Sequence, residues 1–181
     1  KTVVVEATEC PTLLNNGYGE HNIQGIGDKH VPLIHNVMNT DFVVGISDQA
    51  TNNLNMLFNT EEGKKFLISK KNLNTDFVNR LPEFGFSTIA NILASIKLAK
   101  YMKLGSDDAI ITVATDGADL YLSELKKTKE EFKGIYDETA CAEIYGQYLK
   151  GITPDHTLEL NQREKERIFN LGYYTWVEQQ G

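Results

Sequence analysis

The stretch Phe42-Val43-Val44-Gly45-Ile46-Ser47-Asp48 decides the fold class. Its first five residues carry no polar side chain, and the β-branched valines and isoleucine favour extended backbone. The run is continuous rather than alternating, which suits a strand buried on both faces, as in a parallel sheet. It ends on Ser47-Asp48, and a helical pattern that should bury Leu54, Leu57 and Phe58 follows. Two more runs of the same kind flank it, Val3-Val4-Val5 on one side and Ile110-Ile111-Thr112-Val113-Ala114 on the other. Helical patterns lie between the three, and this alternation predicts an α/β architecture.

The clearest helix is predicted over about 88–103. Ile89, Ile92, Leu93, Ile96 and Ala99 share a face, Ser87 suits the N-cap, Lys100 and Lys103 suit the last turn, and Gly105 suits the stop. Weaker helical segments lie near 61–69 and 75–81. After Asp116-Gly117 no strong strand is expected. A charged amphipathic helix is predicted over 121–133, and another over 138–150 with Cys141, Ile144, Tyr145, Tyr148 and Leu149 on its apolar face. Asn161-Gln162-Arg163-Glu164 reads as a capping box opening a third helix to about 171. The segment 151–157, with Pro154, reads as a loop.

Bulk properties exclude several classes. The 181 residues suit one compact domain with a small appendage, and the hydrophobic share of 41% is ordinary for a folded chain. A net charge of −7 argues against a nucleic-acid partner. No apolar run reaches the roughly 18 residues a membrane span needs. Cys10 and Cys141 make no disulfide framework and have no basic neighbours to activate them, so a reducing cytoplasmic location is expected. Thr2-Val3-Val4-Val5 opens on a core strand with no lead-in, from which truncation is expected.

Three segments could carry chemistry. Residues 17–32 hold glycines at 17, 19, 25 and 27, and glycine permits positive φ and close approach of a ligand to the backbone. A loop after a parallel strand is where α/β proteins place their sites. Gly25-Ile26-Gly27 departs from the dinucleotide fingerprint, which needs another glycine where this chain has His30. His21, His30, His35 and Asp28 could bind a metal, but their spacing matches no zinc pattern, and no metal is predicted. The second segment, Gly85-Phe86-Ser87-Thr88-Ile89-Ala90-Asn91, opens a helix with free amides and a hydroxyl that could serve a ring nitrogen or simply cap. The third, Thr115-Asp116-Gly117-Ala118-Asp119, offers carboxylates that could be acid–base groups or turn residues.

Taken in order, these segments resemble the fold-type II pyridoxal-phosphate enzymes, the family of cysteine synthase and cystathionine β-synthase. Val5-Glu6 and Cys10-Pro11 precede His21-Asn22-Ile23-Gln24-Gly25-Ile26-Gly27 and Pro32, as a Val-Glu strand end and Ser-Pro precede the His-Lys-Ile-Gln-Gly-Ile-Gly loop of the family. Gly45-Ile46-Ser47-Asp48, then Gly85 to Asn91, then Asp116-Gly117 with Tyr121-Leu122-Ser123 follow in family order. The likeness covers roughly residues 2–123.

The resemblance implies a three-layer α/β/α fold with a mostly parallel sheet, part of the tryptophan-synthase-β-like fold. Residues 1–123 would be the C-terminal α/β portion, and 124–181 a helical tail packed on it. It implies that Ser87 bonds the pyridine nitrogen of pyridoxal 5'-phosphate, with Gly25, Gly27 and Asp116 also at the cofactor. It places Gln24 and Gly25 on the catalytic, substrate-facing side and gives Asp28 a part in substrate choice. Ile89 in place of a glycine and Asn22 in place of a lysine depart from the family. The family's Schiff-base lysine and its Gly-Thr-Gly-Gly-Thr phosphate loop have no counterpart here. The expected function is therefore part of an enzyme of β-elimination or β-replacement on an amino acid, inactive without the N-terminal half. A homodimer is expected. Alternatives are a threonine-synthase-like or ammonia-lyase-like enzyme of the same fold, or a non-catalytic ligand-binding or assembly domain.

Overall fold

The computed structural model describes residues 1–180. They form two compact units, one of residues 1–48, 94–108 and 154–180, the other of Gln49–Leu93 and Ala109–Thr153. Residues of the expected tail fall in both.

The first unit holds the sheet. Strand β1, Val3–Ala7, pairs in parallel with β2, Phe42–Ile46, in the register Val3↔Phe42 to Ala7↔Ile46. Between them, the short helix α1, Thr12–Asn15, follows the end of β1. Glu6, near the end of β1, accepts hydrogen bonds from the Leu13 and Leu14 amides at 3.0 and 2.8 Å and so takes up two donors of that helix start. All five residues of β2 are buried, as a continuous apolar run requires. On its other side β2 pairs antiparallel with β3, Thr157–Glu159. The sheet is thus small and mixed, not mostly parallel. No strand was expected after Asp116, because three residues are too few to show a period.

Gly45 sits inside β2 for a steric reason. A Cβ there would lie 2.8 Å from Leu14 Cδ1 and 3.0 Å from Thr8 Cγ2. One apolar cluster joins Leu13, Val31, Val37, Val43, Leu160 and Ile168, with Val4, Leu14, Leu158 and Leu171 packed against it.

The second unit is helical. The helices α2, Asp48–Asn59, and α3, Glu61–Lys71, are joined at Thr60, whose hydroxyl caps α3 by accepting from the Gly63 amide at 3.1 Å. Helix α4, Thr75–Arg80, precedes α5, Phe86–Met102, which begins in this unit and ends in the first. Helices α6, Leu122–Glu131, and α7, Glu138–Ile144, follow, and α7 continues as a π turn over Tyr145–Lys150. Cys141 and Ile144 are buried, as their helical face predicts. Burial raises the Cys141 thiol pKa, which keeps it an inert thiol. In the first unit, α8, Gln162–Tyr173, opens at Asn161, whose side-chain Oδ1 accepts from the Glu164 amide at 3.0 Å. No helix of the described residues is long and apolar enough to cross a membrane.

Four expectations need correction. Ile110 to Ala114 is exposed and pairs with no strand among the described residues. Ser87 lies within α5 rather than capping it, and Lys103, at φ 55°, makes the left-handed turn expected of Gly105. The buried stripe of α5 runs through Phe86, Ile89, Ala90, Leu93, Ala94, Lys97 and Leu98, whereas Ile92, Ile96 and Ala99 are half-buried.

Candidate functional site

The sequence-predicted residues fall into two groups, one in each unit. Gln24, Gly25, Gly27 and Asp28 belong to the first unit, Ser87 and Asp116 to the second.

In the second unit the start of α5 meets the segment 115–121. Ser87, only 6% exposed, has its Oγ 3.1 Å from Thr115 Oγ1. The Thr115 hydroxyl also donates to Asp116 Oδ1 at 3.3 Å. The other carboxylate oxygen of Asp116 accepts a short hydrogen bond from the Tyr121 hydroxyl. The Asp116 carbonyl accepts from the Gly85 amide at 2.8 Å, which fixes the segment to the helix start. The Tyr121 ring stacks on buried Phe86, with centroids 4.5 Å apart and planes 7° from parallel. Gly85 is glycine because a Cβ there would lie 2.2 Å from Asp116 Oδ1. Burial first, and the Asp116 carboxylate second, push the Tyr121 phenol up to about 12, so Tyr121 remains a donor across the neutral range.

This arrangement has one chemical degree of freedom. The Thr115 proton can go to Asp116 or to Ser87 Oγ. In the second case the Ser87 proton is released to point away from Thr115, while Asp116 stays satisfied by Tyr121. A neutral hydroxyl freed in this way can donate one hydrogen bond to another acceptor, such as a ring nitrogen. Thr88 Oγ1, next along the helix, is buried without a hydrogen-bond partner.

In the first unit the glycine loop follows α1. Gly25 and Gly27 have φ of 84° and 80°, the conformation their residue type permits. Gln24, Gly25, Gly27 and Asp28 are exposed, while Ile23 is fully buried and anchors the loop. Asp48, at the end of β2, accepts from the Asn22 amide at 2.6 Å and the Ile23 amide at 3.1 Å. Glu9, beyond the end of β1, accepts from the Asp48 amide at 3.1 Å. Burial raises the Asp48 pKa, the Asn22 amide opposes this, and the charge of Glu9 adds to it. The loop is therefore held at the C-terminal ends of two parallel strands by two carboxylates. Asp28 accepts from the His30 amide at 3.0 Å and lies 3.6 Å from its ring nitrogen.

Sequence reading missed three contributors. Tyr121, in the 3-10 turn Ala118–Tyr121, and Glu9, in the loop after β1, act through tertiary contacts, which no periodicity reveals. Lys97 is 6% exposed in the first unit, where its Nζ donates to the Gly45 carbonyl at 3.1 Å and the Asp155 carbonyl at 2.9 Å and pairs with Asp155 Oδ1 at 3.1 Å. Its spacing of four and eight from Leu93 and Ile89 was the available signal. No protein-family model, no curated protein and no solved structure matches this chain.

Proposed function

We propose that this chain provides the ring-nitrogen and substrate-side walls of a pyridoxal-phosphate enzyme, a lyase or transferase that carries out β-elimination or β-replacement on an amino acid. The observation that supports it is Ser87, a neutral hydroxyl at the start of a long helix, bonded to a second hydroxyl that can free its proton for another acceptor.

When bound, pyridoxal phosphate supplies the electron sink that lets an amino acid lose its α-proton and then its β-substituent. Ser87 serves the ring nitrogen. A neutral donor leaves that nitrogen unprotonated, which moderates the sink and suits loss of a β-substituent. Thr115, Asp116 and Tyr121 orient the Ser87 proton. Gln24 and Gly25 serve the substrate side, where positive φ at Gly25 and Gly27 turns the backbone without a side chain in the way. Asp28, exposed beside them, bears on substrate choice. The three-layer fold, the homodimer and the cytoplasmic location belong to the same proposal. The lysine that carries the cofactor and the loop that holds its phosphate come from an N-terminal half of the same enzyme, so the chain alone is inactive.

The test is turnover of O-acetylserine or cysteine by the complete polypeptide and by this chain, each with added cofactor. Ser87→Ala in the complete polypeptide is expected to lower turnover about tenfold, the worth of one hydrogen bond of about 1.4 kcal/mol. Unchanged turnover in that variant, or product from the chain alone, would count against the reading.

A further inference from the structure

Residues 109–114 read Ala-Ile-Ile-Thr-Val-Ala, with four β-branched residues in succession and no charge, proline or glycine. Such a run stabilises extended backbone and disfavours helix. All six residues lie in the second unit, and all are exposed, Ile111 at 95% and Val113 at 66%. Among the described residues no strand pairs with them. The nearest backbone hydrogen bonds lie outside the run, from the Asp108 amide to the Gly105 carbonyl and from the Gly85 amide to the Asp116 carbonyl. Within it, the Val113 carbonyl accepts from the Asn91 side chain at 3.3 Å. A strand-forming run with open backbone donors and acceptors is a template for strand addition.

The flanking charges select the occupant. Asp107 and Asp108 precede the run, and Asp116 and Asp119 follow it. A second copy paired antiparallel about Thr112 would set Asp108 opposite Asp116. A parallel, in-register copy would set Asp108 beside Asp108. Like charges directly opposed across a ladder are destabilising, and the net charge of −7 adds long-range repulsion between copies. We propose that residues 109–114 are a docking strand for an extended, β-branched segment of a partner polypeptide that carries lysine or arginine at its ends. Backbone pairing supplies the adhesion, and the aspartates at both ends supply the selectivity. The inference does not depend on the cofactor reading.

The probe is a short peptide of alternating valine and threonine with paired lysines at each end, set against the same peptide ended by glutamates. Amide hydrogen exchange of the chain is read residue by residue. The lysine-ended peptide is expected to slow exchange within 110–114 at least tenfold at low salt, with the effect fading as salt is added. The glutamate-ended peptide is expected to leave it unchanged. Thr112→Pro removes a ladder donor and is expected to abolish the protection, with unchanged exchange in α3 showing that the fold is kept. The salt and end-charge comparisons stand without any variant. Equal protection by both peptides, or protection by neither, overturns the proposal. So does protection of 110–114 in the chain without peptide, which would mean that a second copy or the chain itself already covers the edge.

Discussion

Replacing Gly85 with alanine is expected to break the hydrogen-bond chain from Ser87 to Tyr121 and to lower stability by about 2 kcal/mol. The new Cβ would lie 2.2 Å from Asp116 Oδ1, 3.0 Å from its Cγ and 2.9 Å from Tyr121 Cε2. Asp116 cannot swing aside freely, because Thr115 and Tyr121 hold its two oxygens. Relief of the clash therefore costs hydrogen bonds as well as packing, and about 2 kcal/mol is the scale of overpacking combined with one lost polar contact. The Tyr121 phenol reports the same event. Held up at about 12 by burial first and Asp116 second, it should fall part of the way once the carboxylate is displaced, because burial remains. Tyrosine ring-carbon resonances followed to pH of about 11 would show Tyr121 ionising earlier in the variant than in the parent. Gly146→Ala, where a Cβ meets nothing within 4 Å, is the control and should neither lower stability nor move the Tyr121 titration. Unaltered stability and an unaltered Tyr121 titration in Gly85→Ala would show that the network is not built as described.

Lys97→Met is expected to cost about 3 kcal/mol in urea unfolding. Methionine matches the length of the lysine stem, so the loss isolates the ammonium group. That group serves three acceptors at once, the Gly45 and Asp155 carbonyls and the Asp155 carboxylate. The carboxylate is half exposed and regains water, so it contributes little to the loss. The carbonyl of Gly45, in the fully buried strand β2, loses its ammonium partner away from solvent, and removing one side of a buried charged contact is costly. A change below about 0.5 kcal/mol, the range of ordinary surface substitutions, would mean that Lys97 is solvated in solution.

Both sites illustrate what the sequence could and could not reveal. Strands β1 and β2 were legible because continuous β-branched runs have few alternatives to a buried strand. The same reasoning misread Ile110 to Ala114. Strand propensity describes fit to a pleated neighbour, and the neighbour is not a property of the run itself. Asn161 was legible as a cap because capping is local, within a few residues of the helix start. The face of α5 was misread around Ile92 and Ile96 because the apolar residues alone were used to place it, while the buried stripe also contains Lys97. At the candidate site, residue type and position singled out Ser87 and Asp116 as candidates. Their connection through Thr115 and Tyr121 was not, since it arises only when the segment 115–121 folds back on Gly85 and Phe86. The glycines at 25 and 27 announced a special backbone, but Asp48 and Glu9, which hold that backbone in place, sit at the ends of two different strands.

The central claim is that the chain walls a pyridoxal-phosphate site whose covalent anchor lies elsewhere in the polypeptide. The most direct measurement is borohydride reduction of the complete polypeptide in the presence of the cofactor, followed by digestion and peptide mapping. A pyridoxyl group is expected on one lysine outside these 181 residues. Labelling of a lysine within them, such as the buried Lys97, or specific labelling of no lysine at all, would contradict it.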